Sequence, residues 1–203
     1  MSLFPIFLKL DGRRCLVAGA GKVGKPKIES LLAAHAEVMV VAPQATPAVE
    51  AWADAGVVTW HRRAFEHGDL DGTALVIAAT SSEDVNETIF AEAQRRGILC
   101  NSVDDPQHCD FFYPAVVRRG DFQVAISTAG HSPALAQRLR TELEKQFGPE
   151  YAEWVNELGR ARQKLFALDI DPEERRQKLH ELASQEAFQA AQSSERIYER
   201  TEA

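Results

Sequence analysis

The chain has 203 residues, 45% of them hydrophobic, and its 23 basic and 30 acidic residues give a formal net charge of -7. This composition argues against disorder and suits one core with a smaller second module. The acidic balance argues against general nucleic-acid binding, and the apolar runs are far shorter than the roughly 20 residues of a membrane span. Three cysteines without CxxC spacing, and no secretory signal pattern, lead us to expect a reducing cytoplasm.

Strand-like and helix-like segments alternate along the first half of the chain. The strand-like runs are RCLVAGAG, EVMVVAP, VVTWHRRAF, ALVIAAT and ILCNSV. Helix-period segments lie between most of them, including one from about Asp84 to Arg96 that Ser81 or Ser82 caps and Gly97 ends. This rhythm predicts an α/β fold with a Rossmann-like parallel sheet, in which ligands bind at the carboxyl ends of the strands.

The pattern changes after Pro114. The run AVVRRGDFQVAIST contains two strand-like stretches joined by a Gly-Asp turn, which predicts an antiparallel hairpin. A helix then starts with Ser132 as its N-cap and Pro133 in its first position. From residue 149 onward the chain is polar and helical, with a further helix start at Asp171.

The hexapeptide GAGKVG satisfies the G-x-G-x-x-G pattern directly after a predicted strand and before a predicted helix. Its glycines, Gly19, Gly21 and Gly24, allow a tight turn and a close approach of the backbone to a ligand. The helix start offers free N–H groups to a pyrophosphate. The pattern therefore indicates a dinucleotide-binding loop, and its alternative is a tight turn that binds nothing.

Two features depart from the usual dinucleotide fingerprint. The second strand ends VVAPQ, so the acidic residue that usually binds the adenosine ribose is missing, and this rule does not decide between NAD and NADP. Backbone groups or Gln44 would have to replace that contact. Pro26 follows Gly21 closely, which predicts either a kinked first turn or a late helix start.

The stretch CNSVDDPQHCDFFYP follows the last predicted strand and opens onto the expected binding edge. Two cysteines and one histidine do not supply the closed ligand set of a structural zinc site, so we expect no metal site. A turn at Asp105 explains the proline after it, and leaves Asp104 at the strand end as a candidate acid or base. We interpret the other members as packing residues, Cys100 and Phe111, or as bystanders, His108 and Cys109.

The stretch STAGHSPALAQRLR places hydroxyl and imidazole groups before a helix. Hydroxyls and free N–H groups at a helix start can form an anion-binding nest, suited to carboxylates or phosphate. An ordinary N-capped turn explains the same residues equally well. The pair Arg118 and Arg119, in the predicted hairpin, is more often a solvated edge than a ligand clamp.

Several of these segments occur in an order that is known from one protein family. The segments FPIFLKLDGRRCLVAGAGKVG, LVIAATSSEDVN, CNSVDDP and FYPAVVRRGDFQVAISTAGHSPALAQRLRTELE resemble the precorrin-2 dehydrogenase and sirohydrochlorin ferrochelatase family, which completes sirohaem synthesis. The likeness covers nearly the whole chain and is clearest from Phe4 to Glu144.

The resemblance implies an NAD-binding Rossmann domain over residues 1–113, a dimerisation region over 114–148 and a helical module over 149–203. It implies a homodimer whose active sites lie between the NAD domain and the dimerisation region. Precorrin-2 is oxidised by hydride transfer to NAD, which gives sirohydrochlorin. Many members then insert ferrous iron in the same cleft, and others only dehydrogenate.

The positions of the family's functional residues carry over to this chain. The NAD contacts fall on Lys22, Val23, Pro43, Gln44, Thr80 and Asn101. Asp104 matches the catalytic aspartate, which the resemblance implies takes the proton lost with the hydride. Precorrin-2 is rich in carboxylates, so a local patch should bind it despite the acidic surface. The residues of that patch are Thr128, His131, Ser132, Arg118, Arg119 and Arg138.

Two other classes of protein compete with this interpretation. An NAD-sensing regulatory module would keep GAGKVG but has no use for NSVDDP together with STAGHSPALA, and a purely structural dimerisation protein explains neither. The chain ends at Ala203 without the methyltransferase domain to which this module is sometimes fused, so we expect a separate protein to methylate uroporphyrinogen. With no dedicated metal-ligand set, the choice between iron, cobalt and no chelation stays open.

Overall fold

A computed structural model describes residues 3–192 of the chain. The chain divides into two compact units at the junction of Phe112 and Tyr113, and each unit is described by itself. Residues 193–203 of the predicted helical module lie outside the described residues. Along the described part of the chain, no helix combines the length and the apolar character needed to cross a membrane.

The first unit is built on a parallel sheet. Its strands are β1 Arg14–Ala20, β2 Glu37–Ala45, β3 Thr59–His61, β4 Leu75–Ala78 and β5 Leu99–Ser102. All neighbouring strands run parallel in the order β3-β2-β1-β4-β5. This order confirms the predicted Rossmann-like sheet, and its direction of winding reverses between β1 and β4, where such folds form a crevice. β3 is shorter than predicted because the backbone turns after it, where the Arg63 N–H donates to the His61 carbonyl.

Three helices accompany this sheet: α1 Gly24–Leu32, α2 Pro47–Asp54 and α3 Glu83–Arg96, with short 3-10 helices at His67–Leu70 and Pro106–His108. α3 begins and ends as predicted, since the Ser82 hydroxyl accepts from the Val85 N–H at 3.4 Å and Gly97 has a φ of 68°. Pro26 lies in the first turn of α1, which begins at Gly24; the Lys25 N–H donates to the Gly21 carbonyl at 3.0 Å, but Pro26 has no N–H for the Lys22 carbonyl. Of the two alternatives for Pro26, the late helix start is therefore confirmed.

β1 lies at the centre of the hydrophobic core. Cys15 and Val17 pack on one face of the sheet with Ile28 of α1, whereas Leu16 and Ala18 pack on the other face with residues of α3. All five side chains are fully buried. A strand that is buried on both faces requires a continuous apolar sequence, and RCLVAGAG supplies it.

The second unit starts with a hairpin and continues as helices. Its elements are β6 Ala115–Arg119, β7 Phe122–Ile126, α4 Pro133–Gln146, α5 Tyr151–Phe166 and α6 Pro172–Leu182, and residues 185–192 are also helical. β6 and β7 pair antiparallel, which confirms the predicted hairpin. The predicted helix starts are confirmed as well, because the Ser132 and Asp171 side chains accept from the N–H groups of Leu135 and Glu173.

A cluster of aromatic rings packs the second unit. The Phe122 ring of β7 lies 5.1 Å from Phe147 and 5.2 Å from Tyr151, measured between ring centroids. Phe188 extends the cluster at 4.6 Å from Tyr151 and 5.4 Å from Trp154. Offset and edge-on ring pairs of this kind stabilise a small core beyond the area that they bury.

An ion network near the end of α3 makes the stability of the first unit depend on pH. Glu92, whose side chain is 8% exposed, accepts hydrogen bonds from Arg95 at 2.6 Å and Arg96 at 2.5 Å. These contacts lower the pKa of Glu92 to about 2 from its ordinary value of 4.5. A lowered native pKa means that the stabilisation is present above about pH 4.5 and is lost as the pH falls toward 2.

We therefore expect Glu92→Gln to lower the melting temperature at neutral pH, because the charge-assisted contacts to both arginines are lost. The difference in melting temperature between Glu92→Gln and the wild type should become smaller as the pH falls toward 2. Circular dichroism during heating measures both melting temperatures. Glu29→Gln is the matched control, since Glu29 is 46% exposed and pairs with Lys25 alone among the described ion pairs. A constant difference down to the lowest pH would contradict this account.

Candidate active site

The glycine loop GAGKVG runs from the end of β1 to the start of α1, and close packing constrains its first and last glycines. Gly19 has a φ of 103°, and a Cβ added to it would lie 2.2 Å from the carbonyl oxygen of Ala79, just after β4. A Cβ on Gly24 would lie 2.2 Å from the Gly19 carbonyl oxygen. No side chain fits at either position, so packing within the protein already requires both glycines.

Gly21, the middle glycine, faces open space instead. A Cβ added there would meet none of the described atoms within 4 Å. Lys22 and Val23 are exposed in the same loop, and α1 begins at Gly24 without a side-chain cap on its first N–H groups. Open space beside an uncapped helix start fits the pyrophosphate of a dinucleotide.

β2 pairs with β1, so the end of β2 lies beside the glycine loop. Ala45 pairs with Ala20 after a shift in register that follows Ala18, and this pairing carries the exposed Pro43 and Gln44 to the carboxyl edge of the sheet. An adenosine ribose binds at this place in Rossmann folds. Gln44 is exposed near the end of β2, and its replacement of the missing acidic side chain stays a prediction.

Thr80 follows β4 and is held by Asn86, a buried residue of α3. The Asn86 side-chain oxygen accepts from the Thr80 N–H at 3.1 Å and from its hydroxyl at 2.7 Å, and the Asn86 amide donates to the Thr80 carbonyl at 3.2 Å. These bonds fix the backbone at the end of β4. Sequence reasoning missed Asn86, and the signal that could have found it is a polar residue on the inner face of an amphipathic helix.

Asn101, in β5, is directed toward the segment that follows this strand. The side chain is buried, and its amide donates to the Phe111 carbonyl at 2.8 Å and to the Cys109 sulfur at 3.3 Å. Asn101 also forms an antiparallel bridge with Cys109. The amide thus ties the far end of this segment back onto the sheet.

Asp104 lies just beyond β5, is exposed and has a left-handed backbone with a φ of 64°. The preceding Val103 packs against the same core cluster as Ile28 of α1. Lys27, next to Ile28, lies within electrostatic range: partial burial lowers the pKa of its ammonium group, and the charge of Asp104 opposes that shift. A residue other than glycine in this conformation carries strain, which is concentrated at functional sites.

The thiols of this segment have structural contacts. Burial raises the pKa of Cys100 to about 12 and also raises the pKa of Cys109, so both are protonated at neutral pH. The Cys109 thiol donates to the carbonyls of Ser102 at 3.1 Å and Asp105 at 3.2 Å, and the His108 ring pairs with the Asp105 carboxylate. Cys109 and His108 thus have structural contacts in this segment, and the interpretation that neither takes part in the chemistry stays a prediction. Within residues 3–192, no group of three or more His, Cys, Asp or Glu side chains could hold a metal ion.

The loop before α4 makes hydrogen bonds within itself. The Thr128 hydroxyl accepts from the Ser132 N–H at 3.0 Å, and the Thr128 carbonyl accepts from the His131 N–H at 2.9 Å. Ala129 and Gly130 both have positive φ angles, 50° and 82°. These contacts agree with an N-capped turn, and the anion-binding role of the loop stays a prediction.

The three arginines of the predicted patch differ in their surroundings. Arg119 donates to the carbonyls of Phe147 at 2.9 Å and Glu144 at 3.0 Å, so it caps the last turn of α4. Arg118 and Arg138 are exposed, and the Arg138 side chain is 66% exposed. Arg119 therefore has a structural task, whereas Arg118 and Arg138 are exposed, and Arg138 pairs with the similarly exposed Glu142 at 3.8 Å.

The sheet order and the glycine loop define a Rossmann-type dinucleotide-binding fold. A family model described as "Putative NAD(P)-binding" matches residues 6–115, and a model described as "Sirohaem biosynthesis protein central" matches residues 119–146. The first match spans more than half of the chain, so the chain belongs to this NAD(P)-binding family. The expected cofactor is thereby confirmed at the level of NAD(P).

Relatives confirm the resemblance to the sirohaem-synthesising family. Siroheme synthase 1 of Aeromonas hydrophila is 38% identical over 168 residues, which is 83% of this chain and 36% of that protein. Siroheme synthase of Methylococcus capsulatus is 43% identical over 144 residues, which is 71% of this chain and 30% of that protein. The chain thus spans about a third of the length of the curated relatives it matches.

A solved structure shares the fold. The structure of "SirC, precorrin-2 dehydrogenase" superimposes with a TM-score of 0.80 over 98% of this chain and 99% of that chain, at 24% sequence identity. At this level of identity the match establishes the architecture, including the helical C-terminal part.

The open space at Gly21 leads to a test of cofactor binding. Gly21→Ala should fold normally, because its methyl group enters open space, but should weaken NAD binding roughly tenfold or more, because that space is expected to hold the pyrophosphate. Calorimetric titration with NAD measures this change. Gly68→Ala is the matched control, since its Cβ also meets no described atom within 4 Å. Equal NAD affinity in the two variants would contradict the placement of the cofactor.

Gly19→Ala should instead unfold more easily, since its Cβ would lie 2.2 Å from the Ala79 carbonyl oxygen. We expect a loss of about 3 kcal/mol in the free energy of unfolding, measured by urea denaturation. Wild-type stability in this variant would show that the loop can move away from β4.

Proposed function

We propose that this chain catalyses the NAD-dependent oxidation of precorrin-2 to sirohydrochlorin in sirohaem biosynthesis. One observation carries the proposal: a glycine loop with open space at Gly21 and an exposed carboxylate, Asp104, on a strained backbone follow strands of one sheet at the same edge. The names of the relatives, siroheme synthases and a precorrin-2 dehydrogenase, support the choice of substrate.

The residues divide the work between binding and proton transfer. Bound NAD supplies a hydride acceptor. The N–H groups at the start of α1, which has no side-chain cap, and the backbone at Gly21 hold the pyrophosphate, while Gln44 and Pro43 border the ribose. The tetrapyrrole loses a hydride and a proton, the Asp104 carboxylate takes the proton, and the products are sirohydrochlorin, NADH and that proton.

Substrate binding is assigned to polar groups of the second unit. Arg118 and Arg138 are exposed, and the hydroxyls of Thr128 and Ser132 lie at the start of α4, where the helix dipole favours carboxylates. Arg119 acts indirectly, through the end of α4 that it caps. His131 is exposed in the same loop and completes the proposed patch.

The proposal includes a homodimer formed through residues 114–148, which are matched in large part by the sirohaem central family model. It also includes a cytoplasmic location, supported by three cysteines that are all free thiols. Sedimentation of the purified chain tests the dimer, and a monomer at micromolar concentration would contradict it.

Ferrous iron is included as a second substrate of the same site, because sirohaem is the iron complex of sirohydrochlorin and the relatives are named for it. The tetrapyrrole spectrum, followed with NAD and then with ferrous iron, separates the two steps. If sirohydrochlorin persists after ferrous iron is added, the chain catalyses the oxidation but not the insertion of iron.

Asp104→Asn is the sharpest variant, because asparagine tolerates the left-handed backbone as well as aspartate does but cannot take a proton. We expect kcat for NADH formation to fall by about 10²–10⁴, with NAD affinity unchanged within about twofold. Asp54→Asn, at the exposed end of α2, is the matched control and should keep full activity. Retained turnover in Asp104→Asn would remove this carboxylate from the mechanism. NAD binding by the wild type without any turnover would favour an NAD-sensing module.

A further inference from the structure

The segment between β5 and the end of the first unit is fixed at both ends. The Asp110 carboxylate accepts from the Cys100 N–H at 2.9 Å and from the Gln94 side chain of α3 at 2.9 Å and 2.8 Å. The Asp110 N–H donates to the Cys100 carbonyl at 2.8 Å, and Val103 N–H donates to the Ala78 carbonyl at 2.9 Å. The residues between these anchors form a short closed loop at the edge of the sheet.

Inside this loop, Asp105 and His108 are joined by side-chain and backbone hydrogen bonds. The Asp105 carboxylate accepts from the His108 ring Nδ1 and from the Gln107 N–H at 3.2 Å, and the Asp105 carbonyl accepts from the His108 N–H at 3.1 Å. The other side of the His108 ring packs edge-on against Phe90 of α3, with 4.8 Å between ring centroids. His108 therefore joins the residue after Asp104 to a rigid helix.

Asp104 needs such support because its backbone is left-handed, with a φ of 64°. Residues other than glycine adopt this conformation uncommonly, and it persists where neighbouring contacts hold the backbone. Asp105, the next residue, is held by its own N–H to the Ser102 carbonyl at 3.3 Å and by His108. The backbone next to Asp104 is thus held by the contact between Asp105 and His108, together with the Cys109 thiol on the Asp105 carbonyl at 3.2 Å.

We propose that His108 is a positioning residue for the reaction: through Asp105 and Phe90 it holds Asp104 in the orientation that accepts the substrate proton. This inference rests on the proposed function, because it assigns a task in that reaction. His108 does not touch the substrate in this account, and it acts through the backbone of Asp105.

The charge of His108 gives this role a pH signature. The groups that face the ring are Asp105 on its own loop and, from α3, Glu87 and the uncharged Phe90. The hydrogen bond that the His108 ring donates to the Asp105 carboxylate raises the pKa of His108 and lowers the pKa of Asp105. The ion pair is complete below the ordinary pKa of His108 and is lost as the pH rises through the raised value. On the acid side it is lost only below the lowered pKa of Asp105.

The test uses the purified full chain with NAD and precorrin-2 and compares His108→Gln and Asp105→Asn with the wild type. We expect kcat to fall roughly tenfold in both variants, with KM and NAD affinity unchanged. In the wild type, deprotonation of His108 should lower kcat as the pH rises. That contribution to the pH profile of kcat should be absent in both variants. His67→Gln, which removes an exposed imidazole from the same unit, is the matched control and should keep the wild-type profile.

A merely structural role would lower thermal stability without changing the alkaline part of the kcat profile, and that result would overturn the inference. Wild-type turnover with unchanged kcat profiles in both variants would also overturn it, while leaving the proposed function intact. Absence of turnover in the wild type would overturn both.

If the variants fold poorly, nuclear magnetic resonance of the wild type decides the matter. The backbone amide signal of Asp104 should shift with the titration of the His108 ring. An Asp104 signal that is insensitive to that titration would contradict the inference.

Discussion

The candidate site depends on one close approach between two backbones. The loop after β1 lies so near the end of β4 that a Cβ on Gly19 would come within 2.2 Å of the Ala79 carbonyl oxygen. Glycine permits this approach because it has no Cβ and accepts a φ of 103°. The pairing of Ala18 with Ala78 continues straight into this contact, so the loops after β1 and β4 share one edge of the sheet. The candidate residues of the first unit lie at or near the carboxyl ends of strands along that edge.

At this edge, hydrogen bonds from neighbouring side chains support the left-handed backbone of Asp104 and the strand ends beside it. Asn86 fixes the backbone at Thr80, Asn101 fixes Phe111, and the pair of Asp105 and His108 lies beside Asp104. Burying the amides of Asn86 and Asn101 costs desolvation, which their hydrogen bonds offset. In the proposed function, the exposed Asp104 carboxylate takes a proton while a hydride leaves the same substrate. The proposed oxidation thus follows from where the polar groups lie along this edge of the sheet.

Much of this arrangement could be predicted from the sequence, because it follows from local rules. The strand runs, the caps of α3 at Ser82 and Gly97 and the glycine loop all depend on residues close together in the chain. The rest depends on tertiary proximity. Arg119 caps α4 across a separation of 28 residues, and His108 meets Phe90 of another element. No spacing rule reports such contacts, so the sequence left Arg119 as a ligand candidate and His108 as a bystander.

Amide hydrogen exchange of the chain, measured with and without saturating NAD, tests the central claim most directly, namely that the edge formed by β1, β2 and β4 holds the cofactor. The account predicts slower exchange at residues 21–25 of the glycine loop and the start of α1, and at the strand ends around Gln44 and Thr80. Slower exchange confined to the second unit, or no change at saturating NAD, would contradict it.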